Sequence, residues 1–96
     1  MPAYIIVMRE SPIADAEAYA EYQRKNREQP PVVKLKPLVA YGGMQALEGE
    51  APDGVVMLEF DTVEDARTWY ESPGYQAALP YRLRSADWRA FIVQGL

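Results

Sequence analysis

Ninety-six residues, 49% of them apolar and 25% charged, describe one folding unit of ordinary composition with a thin core. Ten Lys+Arg against fourteen Asp+Glu leave a net charge of −4, which repels a phosphate backbone and argues against nucleic-acid binding. The chain has neither Cys nor His, which excludes disulfides, thiolate metal sites and Cys nucleophiles, along with the commonest general base near neutral pH and the commonest transition-metal ligand.

The start, "MPAYIIVMRE", has an apolar stretch too short to span a bilayer and no basic leader or small-residue cleavage site. No membrane segment or secretory signal is expected, and a cytoplasmic location is the default. Within that start, "AYIIVMR" (3–9) is rich in β-branched and aromatic residues and reads as a strand. A helix follows, with Asp15 as its N-cap and Glu17 at its positive end. Ala16, Tyr19, Ala20 and Gln23 are expected on its inner face, with Glu17, Glu21 and Arg24 toward water. Pro30-Pro31 ends it, since neither residue can donate the helical hydrogen bond.

"LKPLVAYGGMQALEG" (35–49) reads as extended. Pro37 marks a strand start or an edge, and Gly42-Gly43 suggests a bulge where φ turns positive. "APDG" (51–54) carries turn chemistry, and "VVMLEF" (55–60) is the next strand, expected to pair with the preceding one as an antiparallel hairpin. Thr62 with Asp65 makes a capping-box-like helix start, and Val63, Ala66, Trp69 and Tyr70 form the inner face. Ser72-Pro73 begins a second helical piece carrying Tyr75, Ala78, Leu79, Arg82 and Leu83, which Pro80 is expected to bend or split. "DWRAFIVQG" (87–95) is the last strand.

The expected architecture is a single α+β domain over residues 1–96. Its order is the ferredoxin-like β-α-β-β-α-β, with an antiparallel sheet, helices on one face and a second crossover split into two short helices. A sheet with one wet face alternates apolar and polar residues, but these strands do not. Tyr4, Ile6 and Met8 oppose Ile5 and Val7; Val56, Leu58 and Phe60 oppose Val55 and Met57; Trp88, Ala90 and Ile92 oppose Phe91 and Val93. Both faces are apolar and the helices cover only one, so the chain is expected to pair with itself as a homodimer, sheet against sheet.

The segments "DAEAYAEY", "GGMQALEGE", "VVMLEFDTVEDARTWYESPGYQAA" and "FIVQG" resemble the family catalogued as domain of unknown function 1330. The most specific part spans residues 58–76, and Arg82 and "LEG" at 47–49 also match. The resemblance implies a dimeric α+β barrel built from ferredoxin-like subunits. It carries no established activity and therefore no catalytic residue. The wider superfamily includes small monooxygenases, haem-degrading enzymes and small-molecule binders. The haem relatives generally need an axial His, which this chain lacks, so no haem and no other cofactor is expected.

Chemistry concentrates in "WYESPGYQAALPYRLRSADWR" (69–89). Trp69, Tyr70 and Tyr75 combine apolar bodies with hydrogen-bonding tips, and Arg82 is suited to clamp a carboxylate, so together they are candidates for a ligand pocket between helices and sheet. The other reading makes the same rings core and pairs Arg82 with Glu59 or Asp87. Glu59, in an apolar strand, is either a carboxylate with a raised pKa fit for general-base work or half of an ion pair or an exposed strand end. Tyr41, beside Gly42-Gly43, either lines the pocket or packs on the hairpin. Arg67, Arg82, Arg84 and Arg89 form a basic region that either attracts an acidic metabolite or is a solvated face. The acidic turn Glu48, Glu50, Asp53 lacks calcium-loop spacing, and no glycine motif cradles a phosphate, so no metal is assigned.

The leading functional expectation is a homodimer that binds a small, anionic organic molecule near Trp69, Tyr75 and Arg82. One alternative is a cofactor-free monooxygenase or isomerase in which Tyr70, Tyr75 or Glu59 manages protons. The other is a structural or interaction module without a pocket.

Overall fold

Each helix starts where a short polar side chain meets its first turn. In the computed structural model, which describes all residues Met1–Leu96, Asp15 accepts from the Ala18 amide at 3.0 Å and opens α1 (Ala16–Glu28). Thr62 accepts from the Asp65 amide at 3.0 Å and opens α2 (Val63–Glu71). Ser72 accepts from the Tyr75 amide at 3.4 Å and, with Pro73 at the first helical position, opens α3 (Pro73–Ser85). The strands are β1 (Ala3–Arg9), β2 (Lys36–Ala40), β3 (Gly54–Phe60) and β4 (Trp88–Gln94). They form one antiparallel sheet in the order β2-β3-β1-β4, the ferredoxin-like arrangement.

Register decides which side chains meet. Ile5 lies opposite Leu58 and Ile92, and Val7 opposite Val56 and Ala90, all on the helix side. Ile6 lies opposite Met57 and Phe91 on the other side. The Cα envelope, 32 × 31 × 16 Å, is a slab one sheet and one helix layer thick. The core is Ile5, Val7, Phe60, Ala66, Trp69, Tyr75 and Leu79. The opposite face has no cover of its own, and Phe91 and Val93 there are 45% and 41% exposed. No helix is long and apolar enough to cross a membrane.

Several sequence-based expectations are corrected. The inner face of α1 is Ala18, Tyr19 and Tyr22; Ala16 and Ala20 are exposed. The cause is that α1 lies chiefly against α3 rather than flat on the sheet, which turns a different stripe inward. The extended reading of 35–49 shrinks to β2, and its irregularity falls between Pro37 and Val39, not at Gly42-Gly43. The left-handed residue is Tyr41, with φ of 58°, one position before the glycines. Helix α3 runs unbroken through Pro80, which is exposed, and Leu83 points to solvent. Pro80 removes one amide donor there without ending the helix.

Candidate functional site

Because α1 leans on α3, a gap remains between α1 and the β2–β3–β1 part of the sheet. The gap is a cavity of about 310 Å³. Its sheet wall is Val7, Val56, Leu58, Pro37 and Ala40. Tyr19 and Tyr22 reach in from α1, Trp69 from α2, and Tyr75 and Arg82 from α3, while Tyr41 stands at its edge. Gln23, Asn26 and Arg27, further along α1, form the rim. No carboxylate lines the cavity.

Arg82 is the unusual group. It is 3% exposed, and its Nε and Nη1 have no hydrogen-bond acceptor. Neither Glu59 nor Asp87 pairs with it. Its guanidinium carbon sits 5.3 Å from the centre of the Trp88 ring, a cation–π contact. Ser85 holds that ring in place. Its hydroxyl accepts from Trp88 Nε1 at 3.2 Å and donates to the Arg82 carbonyl at 2.6 Å. Buried charges are normally paired, so an Arg left without an acceptor at two of its nitrogens stands out against the rest of the fold.

The tyrosines do not supply that anion. The Tyr22 and Tyr75 hydroxyls lie 3.0 Å apart and share one hydrogen bond. Burial pushes the Tyr22 hydroxyl far above its ordinary range, and neighbouring Tyr75 adds to the shift. Burial also raises Tyr75, against the opposing pull of Arg82 and the bond from Tyr22. Tyr41 is raised by burial first and by the nearby Tyr19 second. All three therefore stay neutral at physiological pH. The Arg82 charge opposes the rise at each of the three.

Tyr41 is held in a costly conformation. A non-glycine residue at φ of 58° costs on the order of 1–2 kcal/mol. Two contacts enforce it: the Tyr41 amide donates to the Val55 carbonyl at 2.8 Å, and its ring lies on Gly54. A Cβ at Gly54 would stand 2.9 Å from Tyr41 Cδ1. Gly54→Ala is therefore expected to destabilise the fold by about 1–3 kcal/mol in urea unfolding. Gly43→Ala, where a Cβ meets nothing within 4 Å, stays within about 0.5 kcal/mol of the parent.

Of the sequence candidates, Trp69, Tyr75, Arg82 and Tyr41 meet at this cavity. Trp69 and Tyr75 are also core, with ring centres 4.3 Å apart, so each serves both readings at once. Tyr70 packs 5.5 Å from Tyr75 but lines a separate cleft of about 360 Å³ with Ile5, Arg67 and Ile92. Glu59 is on the opposite face of the sheet, in register with Tyr4 and Lys36, and does not reach the cavity. The basic region disperses: Arg67 pairs with Glu71 at 3.3 Å, Arg89 with Glu10 at 2.6 Å, and Arg84 covers the Tyr81 ring. Tyr22 was missed as a site residue. Its position three after Tyr19 puts both rings on one helical stripe, a signal legible in the sequence.

No curated protein matches the chain significantly. Among solved structures, a protein of unknown function from Rhodopseudomonas palustris is similar at 23% identity and TM-score 0.63, covering 99% of this chain and 82% of that one. A dimeric ferredoxin-like protein of unknown function from Bacteroides fragilis is similar at 14% identity and TM-score 0.61, covering 98% and 96%. SnoaB, a cofactor-independent oxygenase from Streptomyces nogalater, is similar at 12% identity and TM-score 0.55, covering 98% and 91%. At these identities the likeness is one of fold. The sequence model described as Domain of unknown function (DUF1330) matches residues 2–96, nearly the full length, and the chain belongs to that family.

Proposed function

We propose that the protein is a cytoplasmic homodimer that binds a small organic anion in the cavity between α1 and the sheet. The observation that carries this reading is Arg82, buried and without an acceptor at two of its nitrogens, in a cavity that holds no carboxylate. A volume of about 310 Å³ falls at the lower end of small-molecule sites, which begin near ~300 Å³. Homodimer formation is supported by the uncovered apolar face and by the dimeric state of the Bacteroides fragilis neighbour.

A thermal-shift screen of the full chain against a broad set of organic and inorganic anions tests the reading. At least one compound is expected to raise the melting temperature of the parent and leave Arg82→Met unmoved. A ligand that stabilises both proteins equally, or no ligand at all, overturns it.

A second reading, cofactor-free oxygenase or isomerase, is supported by the Tyr22–Tyr75 hydroxyl pair beside Arg82. A cation there favours the ionised form of an enolic or phenolic substrate, and SnoaB is described as a cofactor-independent oxygenase. Oxygen uptake or substrate isomerisation that disappears in Tyr22→Phe would support it; activity unchanged in that variant would remove it.

A further inference from the structure

Resting on the binding reading above, we propose that the ligand is an aromatic monocarboxylate of one or two fused rings, seated with its carboxylate on Arg82 and its ring against Trp69 and the α1 tyrosines. The charge requirement comes first. Nε and Nη1 of Arg82 both lack acceptors, and one planar group with two equivalent oxygens satisfies two donors of a guanidinium together. The Tyr22–Tyr75 pair uses one hydroxyl proton between its members and keeps the other free. That proton is a further donor for the same carboxylate.

A phosphate suits the inner end less well. Only one buried cation is there, at the last turn of α3, where the helix dipole is negative and disfavours a second anionic charge. The other cavity cation, Arg27, is exposed at the rim. The lining contains no lysine and no glycine, so the features of a phosphate cradle are missing.

Shape and surface give the rest. Five aromatic side chains, Tyr19, Tyr22, Tyr41, Trp69 and Tyr75, face an aliphatic sheet wall across the gap. Rings packed by offset stacking and edge contacts favour a flat, polarisable guest over a puckered one of equal size. A cavity of ~150 Å³ is enough for benzene. At about 310 Å³ this one holds a substituted ring or a fused pair.

The test is isothermal titration of the full chain with benzoate, 2-naphthoate, cyclohexanecarboxylate, benzamide and phenyl phosphate. The two aromatic acids are expected to bind at least about tenfold more tightly than the amide, the saturated acid or the phosphate ester, a gap of one hydrogen-bonded charge or less. Binding of benzoate is expected to fall at least tenfold in Arg82→Met and about three- to tenfold in Tyr75→Phe, which keeps the ring and loses only the hydroxyl whose proton is free. Equal affinity for amide and acid, for saturated and aromatic acid, or preference for phenyl phosphate overturns the assignment. If this panel is silent while the broader anion screen yields an Arg82-dependent ligand, the ligand class falls and the binding reading stands. Silence in both removes both. Should Arg82→Met fail to fold, an unchanged benzoate affinity in Tyr75→Phe overturns the placement of the carboxylate.

Discussion

Arg82→Met is expected to raise the melting temperature of the ligand-free protein by about 5–15 °C while abolishing ligand binding. The direction follows from desolvation. A guanidinium removed from water without an anion costs several kcal/mol, and replacing buried charged groups with apolar ones of similar volume is often stabilising. Two contacts partly offset that cost here. The Trp88 ring, 5.3 Å from the guanidinium, contributes about 0.5–2 kcal/mol, and the α3 C-terminal dipole about 0.3–1 kcal/mol. A net gain of about 1–2 kcal/mol remains, and each kcal/mol moves the midpoint of a domain this size by about 4–8 °C. Methionine suits the site because its flexible thioether fills the path of the arginine stem and makes favourable contacts with Trp88. Differential scanning fluorimetry on the two proteins without ligand decides the matter. A lower melting temperature for the variant would mean that Arg82 is a satisfied structural residue, and the case for an anion site would go with it. A higher one identifies a position where stability is given up for binding.

Phe91→Asp is expected to turn a dimer of twice the 10.9 kDa chain mass into a monomer at micromolar concentration, weakening association by at least about a hundredfold. Phe91 sits mid-strand on the face the helices leave bare, opposite Ile6, with Tyr4, Met8, Met57 and Val93 around it. Charged residues stand toward the margins: Lys36 and Glu59 are register partners near one end, and Arg89 is paired with Glu10 near the other. An apolar centre framed by charge is the anatomy of a protein–protein interface, and a central aromatic is where its energy concentrates. Aspartate at that point would have to lose its hydration without a partner. Because Phe91 is 45% exposed in the isolated subunit, the same change should leave the monomer's secondary structure intact. Sedimentation velocity with circular dichroism separates the two effects. Wild-type protein that sediments as a stable monomer would remove the sheet-to-sheet interface altogether.

Much of the architecture was readable from local rules. Asp15, Thr62 and Ser72 cap helices where they stand, because capping depends on residues three apart in the chain. The apolar residues on both faces of β1, β3 and β4 were visible as an absence of alternation, since strand side chains repeat every two residues whatever surrounds them. Trp69, Tyr75 and Arg82 were recognisable as a cluster because the helices that carry them adjoin at Ser72. Glu59 was misleading for a related reason. Composition marks a lone acid in an apolar strand, but only pairing with Tyr4 and Lys36 shows that it faces away from the cavity.

Residue patterns determined the elements, their order and the excess of apolar surface, all of which rest on interactions a few residues long. Tertiary packing decided the rest. The lean of α1 onto α3 opened the cavity and turned Tyr22 toward Tyr75, 53 positions away. The contact between Tyr41 and Gly54 held a strained backbone at the cavity edge. The burial of Arg82 beyond the reach of any carboxylate depends on where every acidic side chain ends up, a property of the folded whole that no short window of sequence contains.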